Sequence, residues 1–117
     1  MRHLKRGRKF HRKKGQRRAF LRNLVNDFIK AGKIETTEAR AKSVRPIVER
    51  LVTIAKRGTL ASRRLILSRV RSKIVAEKLM RDLGARYAER AGGYTRITKL
   101  GKSRKRDGSY LVTLEFI

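Results

Sequence analysis

The sequence predicts an α+β fold: about four helices packed with a small two- or three-stranded sheet, plus an extended basic N-terminal arm. Apolar residues recur at helical spacing through the first two thirds of the chain. Residues 110–117 place apolar side chains at every second position, as in a strand. Because the helices and strands do not alternate regularly, the pattern is typical of an α+β domain.

The N-terminal segment is predicted to be extended, because Gly7 and Gly15 discourage a continuous helix there. We therefore divide the chain into an arm at 1–15 and one globular domain at 16–117. The first helix is predicted over residues 16–31 and should end at Gly32. Its apolar face consists of Phe20, Leu21, Leu24, Val25, Phe28 and Ile29.

Three further helices are predicted. Thr37 should cap the second, where Pro46 predicts a kink or a restart because proline leaves a carbonyl unpaired. The third should span residues 59–70. Ser72 should cap the fourth, and Gly84 should end it.

The strands are predicted at 33–36, 94–100 and 110–117. The middle segment is the weaker prediction, since Ile97 and Leu100 share a face only if the strand contains a bulge. It should pair with the last strand in an antiparallel manner. A loop over 101–109 should contain a turn at Asp107 and Gly108.

Positive charge dominates the composition. The 117 residues include 34 Lys or Arg against 9 Asp or Glu, a formal net charge of +25, and residues 1–22 hold eleven cations without one carboxylate. Such a chain repels itself, and an anionic partner such as nucleic acid removes that penalty. The alternative to binding is a solvated basic tail that has no partner, but the positive charge continues beyond the tail. A cleaved mitochondrial presequence is disfavoured because residues 8–14 are too densely charged for an amphipathic helix.

Two basic segments are the candidate nucleic-acid-binding sites: the arm with the first turns of the first helix, and the loop at 101–109. Their charge indicates a polyanion without saying which one. The candidate residues are Arg2, His3, Lys5, Arg6, Arg8, Lys9, Phe10, Arg12, Lys13, Lys14, Arg17, Arg18, Arg22, Lys102, Arg104, Lys105 and Arg106. Phe10 is expected to stack on a base, as an aromatic without a core nearby. Phe20, Phe28 and Phe116 are expected in the core, and Tyr87, Tyr94 and Tyr110 to be partly buried.

Other classes of function find little support. The chain has no cysteine, its carboxylates are scattered, and we expect no metal, cofactor, small-molecule substrate, membrane span or signal peptide. His3 and His11 would allow a ribonuclease, but an arm cannot hold catalytic groups rigidly, so we expect no enzyme. A nucleic-acid-binding protein that cycles on and off its target remains an alternative.

Short motifs distributed along nearly the whole chain resemble one family. They are Met1-Arg2-His3, Gly7-Arg8-Lys9, Arg12, Ile34-Glu35-Thr36-Thr37, Ala41-Lys42, Arg45-Pro46, Ala55-Lys56-Arg57-Gly58, Arg63-Arg64-Leu65, Arg86-Tyr87 and Gly92-Gly93-Tyr94-Thr95-Arg96-Ile97. In this order they resemble the bacterial large-subunit ribosomal protein seventeen. The chain departs from the family pattern in three places. At residues 14–17 Lys-Gly-Gln-Arg replaces Ser-Ser-His-Arg, Ser43 stands where an acidic residue is common, and Arg106 stands where a glycine is usual.

The resemblance implies a non-catalytic structural component of the large ribosomal subunit, in the cytoplasm. Its partners would be large-subunit rRNA and neighbouring ribosomal proteins on the outer side of that subunit, toward the nascent-chain exit. By motif, Arg2, His3, Arg8, Lys9 and Arg12 would belong to an arm that threads between RNA segments. We expect no homo-oligomer.

Overall fold

The structure of the protein, a computed structural model, describes His3 and residues 7–117. Its elements are α1 (Lys14–Ala31), β1 (Lys33–Thr37), α2 (Glu38–Ala55), α3 (Leu60–Val70), α4 (Lys73–Lys78), a π-helical turn (Leu79–Leu83), α5 (Gly84–Arg86), β2 (Thr95–Ser103) and β3 (Tyr110–Phe116). The three strands form an antiparallel sheet in the order β1-β3-β2. The predicted α+β class is confirmed.

Helix α1 begins two residues earlier than predicted. The Gln16 side chain supports this start, since its Oε1 reaches back to accept a hydrogen bond from the Lys13 N–H at 3.3 Å, as the third helical residue does in a capping box. Gly32 ends the helix with φ 79°, and its N–H donates to the Phe28 carbonyl at 2.7 Å.

Two predicted helix caps are confirmed. The Thr37 hydroxyl accepts from the Arg40 N–H, and the Ser72 hydroxyl accepts from the Val75 N–H, each at 3.4 Å. Helix α2 runs through Pro46 as one helix, so the predicted restart is wrong.

Gly84 does not end the fourth helix. It has ordinary right-handed helical angles, and its N–H donates to the Leu79 carbonyl five residues back, which defines the π-helical turn. A Cβ at Gly84 would lie 3.0 Å from the Ala55 carbonyl oxygen. The glycine therefore allows this helix to approach α2 closely, and that contact could not be predicted from helical spacing.

The sheet contains the expected bulge. The β2–β3 register runs from Thr95 opposite Phe116 to Lys99 opposite Val112, then shifts so that Ser103 faces Tyr110. The bulge lets β2 extend three residues beyond its predicted end. Lys102 consequently lies in a strand, and its predicted position in the loop is wrong.

The core lies between the helices and one face of the sheet. Phe28 and Phe116 stack there with ring centroids 4.4 Å apart, and Tyr87 and Tyr94 are buried beside them. Tyr87 and Tyr94 are thus more deeply buried than predicted, and two further predictions about aromatics are wrong. Phe20 is half-buried outside the core, and Tyr110 is 73% exposed.

Candidate nucleic-acid interface

The described part of the arm folds back on the domain. Phe10 and His11 both have φ 53°, and this left-handed pair turns the chain before α1. The turn brings the Phe10 ring to 5.4 Å from Phe20, centroid to centroid. Arg8 Nη1 also donates to Ser43 Oγ of α2 at 3.4 Å. Phe10 therefore has a packing partner in the domain, contrary to the expectation from sequence.

Phe20 also gathers two cations. The guanidinium carbon of Arg12 lies 3.8 Å from the centre of the Phe20 ring, and that of Arg40 lies 5.1 Å from it. Arg12 Nη1 donates to the Phe10 carbonyl at 2.8 Å. A guanidinium has five N–H donors, so Arg12 is positioned by these contacts and keeps further donors for a ligand.

The arm and the hairpin loop line one cleft of about 380 Å³. Its lining residues are Phe10, His11, Arg12, Thr37, Glu38, Ala39, Arg40, Arg104, Ser109 and Tyr110. We call it the arm–hairpin cleft. The structure thus brings together the two segments that the sequence separated by about ninety residues, with the first turn of α2 between them.

The electrostatics of this cleft favour an anion. Arg12, Arg40 and Arg104 line it, and the N-terminus of α2 adds the positive end of a helix dipole. Its one carboxylate, Glu38, is bound by the Lys42 ammonium at 2.8 Å. The hydrogen bond from Lys42 is also the main cause that lowers the pKa of Glu38.

An acidic residue holds the hairpin turn in shape. Asp107 Oδ1 accepts hydrogen bonds from the Ser109 N–H at 3.0 Å and from Arg104 Nε at 3.2 Å. The bond from Ser109, then that from Arg104, lowers the pKa of Asp107 to about 2. Asp107 therefore remains ionised at any ordinary pH and keeps the turn closed.

The four cations predicted for this loop fall into two classes. Lys102 pairs with Glu35 at 3.2 Å and Arg104 with Asp107, so a carboxylate partly neutralises each. Lys105 and Arg106 are exposed, and within the described part of the chain neither forms an ion pair. These two are the loop cations available to phosphate.

Tyr110 is a residue of this cleft that the sequence analysis missed. The sequence predicted partial burial for its ring, but Tyr110 lies at the exposed beginning of β3, next to the bulge in β2. The signal that could have found it is its position directly after a basic turn. An exposed ring beside cations is a surface on which an unpaired base can stack.

The remaining predicted residues lie elsewhere. His3, Lys9, Lys13 and Lys14 are exposed on the arm or at the beginning of α1, and Arg17 is half-buried. Arg18 and Arg22 line a second groove between α1, α2 and the end of α3, together with Arg50, Arg69 and Arg71, which the sequence analysis did not single out. Three predicted residues, Arg2, Lys5 and Arg6, lie outside the described residues.

The part of the chain that the structure describes contains neither a candidate metal site nor a membrane-spanning helix. Across His3 and residues 7–117 no group of three or more His, Cys, Asp or Glu side chains could hold a metal ion. No helix in the same residues is long and apolar enough to cross a membrane.

Comparison with known proteins gives a consistent family. The family model described as ribosomal protein L17 matches residues 20–117. The large ribosomal subunit protein bL17 of Clostridium botulinum strain Hall is 52% identical over 110 residues, covering 94% of this chain and 96% of the relative. The protein of the same name in Dehalococcoides mccartyi strain BAV1 is 50% identical over 117 residues, covering 100% and 99%.

Proposed function

The chain belongs to the ribosomal protein L17 family, and we propose on that premise that it is a structural constituent of the large ribosomal subunit. It binds and stabilises folded large-subunit rRNA through its basic arm and its hairpin loop, and it catalyses no reaction. Its neighbours are other ribosomal proteins, and its location is the cytoplasmic ribosome.

The arm–hairpin cleft is the observation that carries the proposed mode of binding. Two basic segments from opposite ends of the chain line it, and the one carboxylate in it is bound by Lys42. Within the cleft Arg12 is held in place to contact a phosphate, and the exposed cations Lys9, Lys105 and Arg106 of the same two segments neutralise further phosphates beside it. Neutralisation of phosphates releases condensed counterions, which supplies affinity without reading base sequence.

The aromatic residues of the cleft have different functions. Phe10 holds the arm against Phe20, because the two rings are in contact. Tyr110 is exposed and stacks on an unpaired base. The arm thus supplies charge at a defined place, and the hairpin supplies charge together with one stacking surface.

A catalytic role for the two histidines has no structural support. His3 and His11 are both exposed, and among the described residues neither side chain hydrogen-bonds to another protein group. Nothing there would hold an acid and a base in fixed geometry.

Matched charge variants test the proposed mode of binding. The triple variant Lys9→Gln, Lys105→Gln, Arg106→Gln removes three exposed cations that are next in sequence to residues of the cleft or one position further along the hairpin loop. The control Lys73→Gln, Arg64→Gln, Arg81→Gln removes three exposed cations of α4, α3 and the π-helical turn. Binding of the full chain to large-subunit rRNA is measured as a function of salt. We expect the slope of log K against log salt to fall by about 2–3 in the first variant and to change little in the control. Equal slopes for the triple variant and its control would contradict the proposal.

Tyr110 is tested separately with Tyr110→Ala, and Tyr110→Phe is its control. Loss of a stacked base should cost about 1–3 kcal/mol of binding free energy, and retention of a ring should preserve it. Because Tyr110 is exposed, neither variant should lower Tm appreciably. Equal rRNA affinity for the two variants would show that the ring does not stack.

A further inference from the structure

The second groove of the protein differs from the arm–hairpin cleft in shape and composition. It measures about 470 Å³ and lies between α1, α2 and the end of α3. Five arginines line it: Arg18, Arg22, Arg50, Arg69 and Arg71. We call it the arginine groove. Its volume falls within the range of about 300–1,000 Å³ that is usual for small-molecule sites.

The floor of the arginine groove is apolar. Val25, Leu51 and Val70 are each 2% exposed and form its base, and Leu21 and Ile47 are half-buried beside them. The Val70 carbonyl at the end of α3 accepts from Asn26 Nδ2 at 3.0 Å, so that polar group is satisfied within the protein. The floor therefore suits a flat apolar group and not a hydrated ion.

The cations of this groove are not neutralised by the protein. No Asp or Glu lines the groove, and among the described residues none of the five arginines forms an ion pair. The negative end of the α3 dipole stabilises positive charge nearby, which explains why Arg69 and Arg71 need no carboxylate partner at that terminus. It does not account for Arg18, Arg22 and Arg50 on the two other helices.

The backbone conformation of Arg71 is a second indication that the arginine groove is a binding site. This residue ends α3 with φ 54° and ψ 33°, a left-handed conformation that glycine adopts without strain and arginine does not. Strained residues of this kind concentrate at binding and catalytic sites. Here the strained residue contributes one of the five guanidinium groups of the groove.

We propose that the arginine groove binds one unpaired RNA nucleotide, with its base on the apolar floor and its flanking phosphates on the arginine rim. The inference rests on the proposed rRNA-binding function and adds a second, base-accepting site to it. A base is flat and apolar on its faces, and guanidinium planes stack on such faces while they pair with phosphate. Paired RNA would offer phosphates alone and would leave the apolar floor uncovered.

A crosslink from within the groove tests the occupant. Ser68 lines the groove, is exposed, and uses its side chain only for a local hydrogen bond to the Leu65 carbonyl. The full chain, with Ser68 replaced by the photo-crosslinking residue p-benzoylphenylalanine, is incorporated into large subunits and irradiated. We expect a crosslink to one rRNA nucleotide that is unpaired in the subunit. A crosslink to a protein segment, to paired RNA, or to nothing would overturn the proposal.

Charge variants separate failure of this inference from failure of the proposed function. Arg50→Gln with Arg71→Gln should weaken binding to large-subunit rRNA at least tenfold more than the matched pair Arg64→Gln with Arg81→Gln. If the two pairs act equally while the Lys9, Lys105 and Arg106 triple variant lowers the salt slope, only the groove proposal fails. If neither set exceeds its control, the proposed function fails as well.

The single variant Arg71→Gly controls for folding. It removes a guanidinium and also relieves the left-handed strain, so Tm should stay equal or rise while rRNA affinity falls. Unchanged affinity together with a higher Tm would assign Arg71 no part in binding and would overturn its place in the groove.

Discussion

At the scale of single residues, Phe20 decides where the arm lies. Its ring contacts Phe10 and two guanidinium groups, those of Arg12 and Arg40. A cation–π contact near the surface contributes about 0.5–1 kcal/mol or somewhat more where it is partly buried, as here, and this attraction opposes the repulsion between neighbouring cations. A side chain on the apolar face of a helix therefore acts here as a docking point and not as core.

The Asp107 carboxylate gives a prediction about pH. Its pKa is lowered from 3.8 to about 2 by hydrogen bonds from the Ser109 N–H and from Arg104. A lowered folded-state pKa means that the carboxylate stabilises the turn above its unfolded pKa, and that this contribution is lost as pH falls through the folded value. The hairpin should keep its shape at pH 5 and loosen between about pH 4 and 2. NMR titration of the Asp107 carboxyl carbon measures this directly.

Asp107→Asn is the control for that titration. It retains an acceptor for the Ser109 N–H but loses the charge, so the hairpin amide signals should no longer change between about pH 4 and 2. A carboxyl that titrates near 3.8 in the native chain would contradict the account of the turn.

Residues were predictable from sequence where the chain's own local geometry determines their environment. Thr37 and Ser72 were identified as caps, because a hydroxyl before an apolar helical run is a local signal. The packing of Phe10 on Phe20 and the exposure of Tyr110 were missed, because a turn at residues 10–11 and a bulge in the neighbouring strand determine them. The Asp107–Arg104 pair was equally invisible before the turn was seen.

At the scale of elements, the π-helical turn shows what periodicity can and cannot predict. Helical spacing of the apolar residues identified a fourth helix, but Gly84 was interpreted as its end, and the helix continues to Arg86. Gly84 directly follows the π-helical turn, and its missing Cβ lets the backbone approach Ala55 of α2. Contacts between elements distant in sequence are the information that a single segment lacks.

Gly84→Ala tests that packing. The added methyl would lie 3.0 Å from the Ala55 carbonyl oxygen and 3.2 Å from that of Leu79, and neither backbone atom can move easily. We expect a loss of about 1–3 kcal/mol in the free energy of unfolding, measured by urea denaturation.

Gly15→Ala provides the matched control. Gly15 lies in the first turn of α1, and a Cβ there would meet nothing within 4 Å. The same substitution should therefore leave stability equal or raise it by up to about 1 kcal/mol. Equal effects at the two glycines would show that close packing at Gly84 is not what requires the glycine.

At the scale of the whole molecule, the positive charge lowers the stability of the free protein and strengthens its binding to RNA. The described residues form six ion pairs, all exposed or partly exposed, and ion pairs of this kind stabilise a fold only weakly. Against them stands a formal charge of +25. Repulsion should exceed this attraction, so salt should stabilise the free protein while it weakens binding to RNA.

Thermal unfolding of the free chain checks the first half of that statement. Between about 50 and 500 mM sodium chloride we expect Tm to rise, by roughly 4 °C for each 1 kcal/mol gained. A chain lacking residues 1–13 has seven fewer Lys and Arg and should show a smaller rise. A Tm that falls with salt would mean that the ion pairs dominate.

The central claim is that this chain is a resident rRNA-binding constituent of the large ribosomal subunit, anchored by its arm. Sedimentation of cell extract through a high-salt sucrose gradient tests this claim. The intact chain is compared with a chain that lacks residues 1–13, a truncation that leaves α1 complete. We predict that the intact chain stays in the large subunit in stoichiometric amount and that the truncated chain, although folded, does not. An intact chain at the top of the gradient would indicate an exchangeable nucleic-acid-binding protein, and normal incorporation of the truncated chain would contradict the role of the arm.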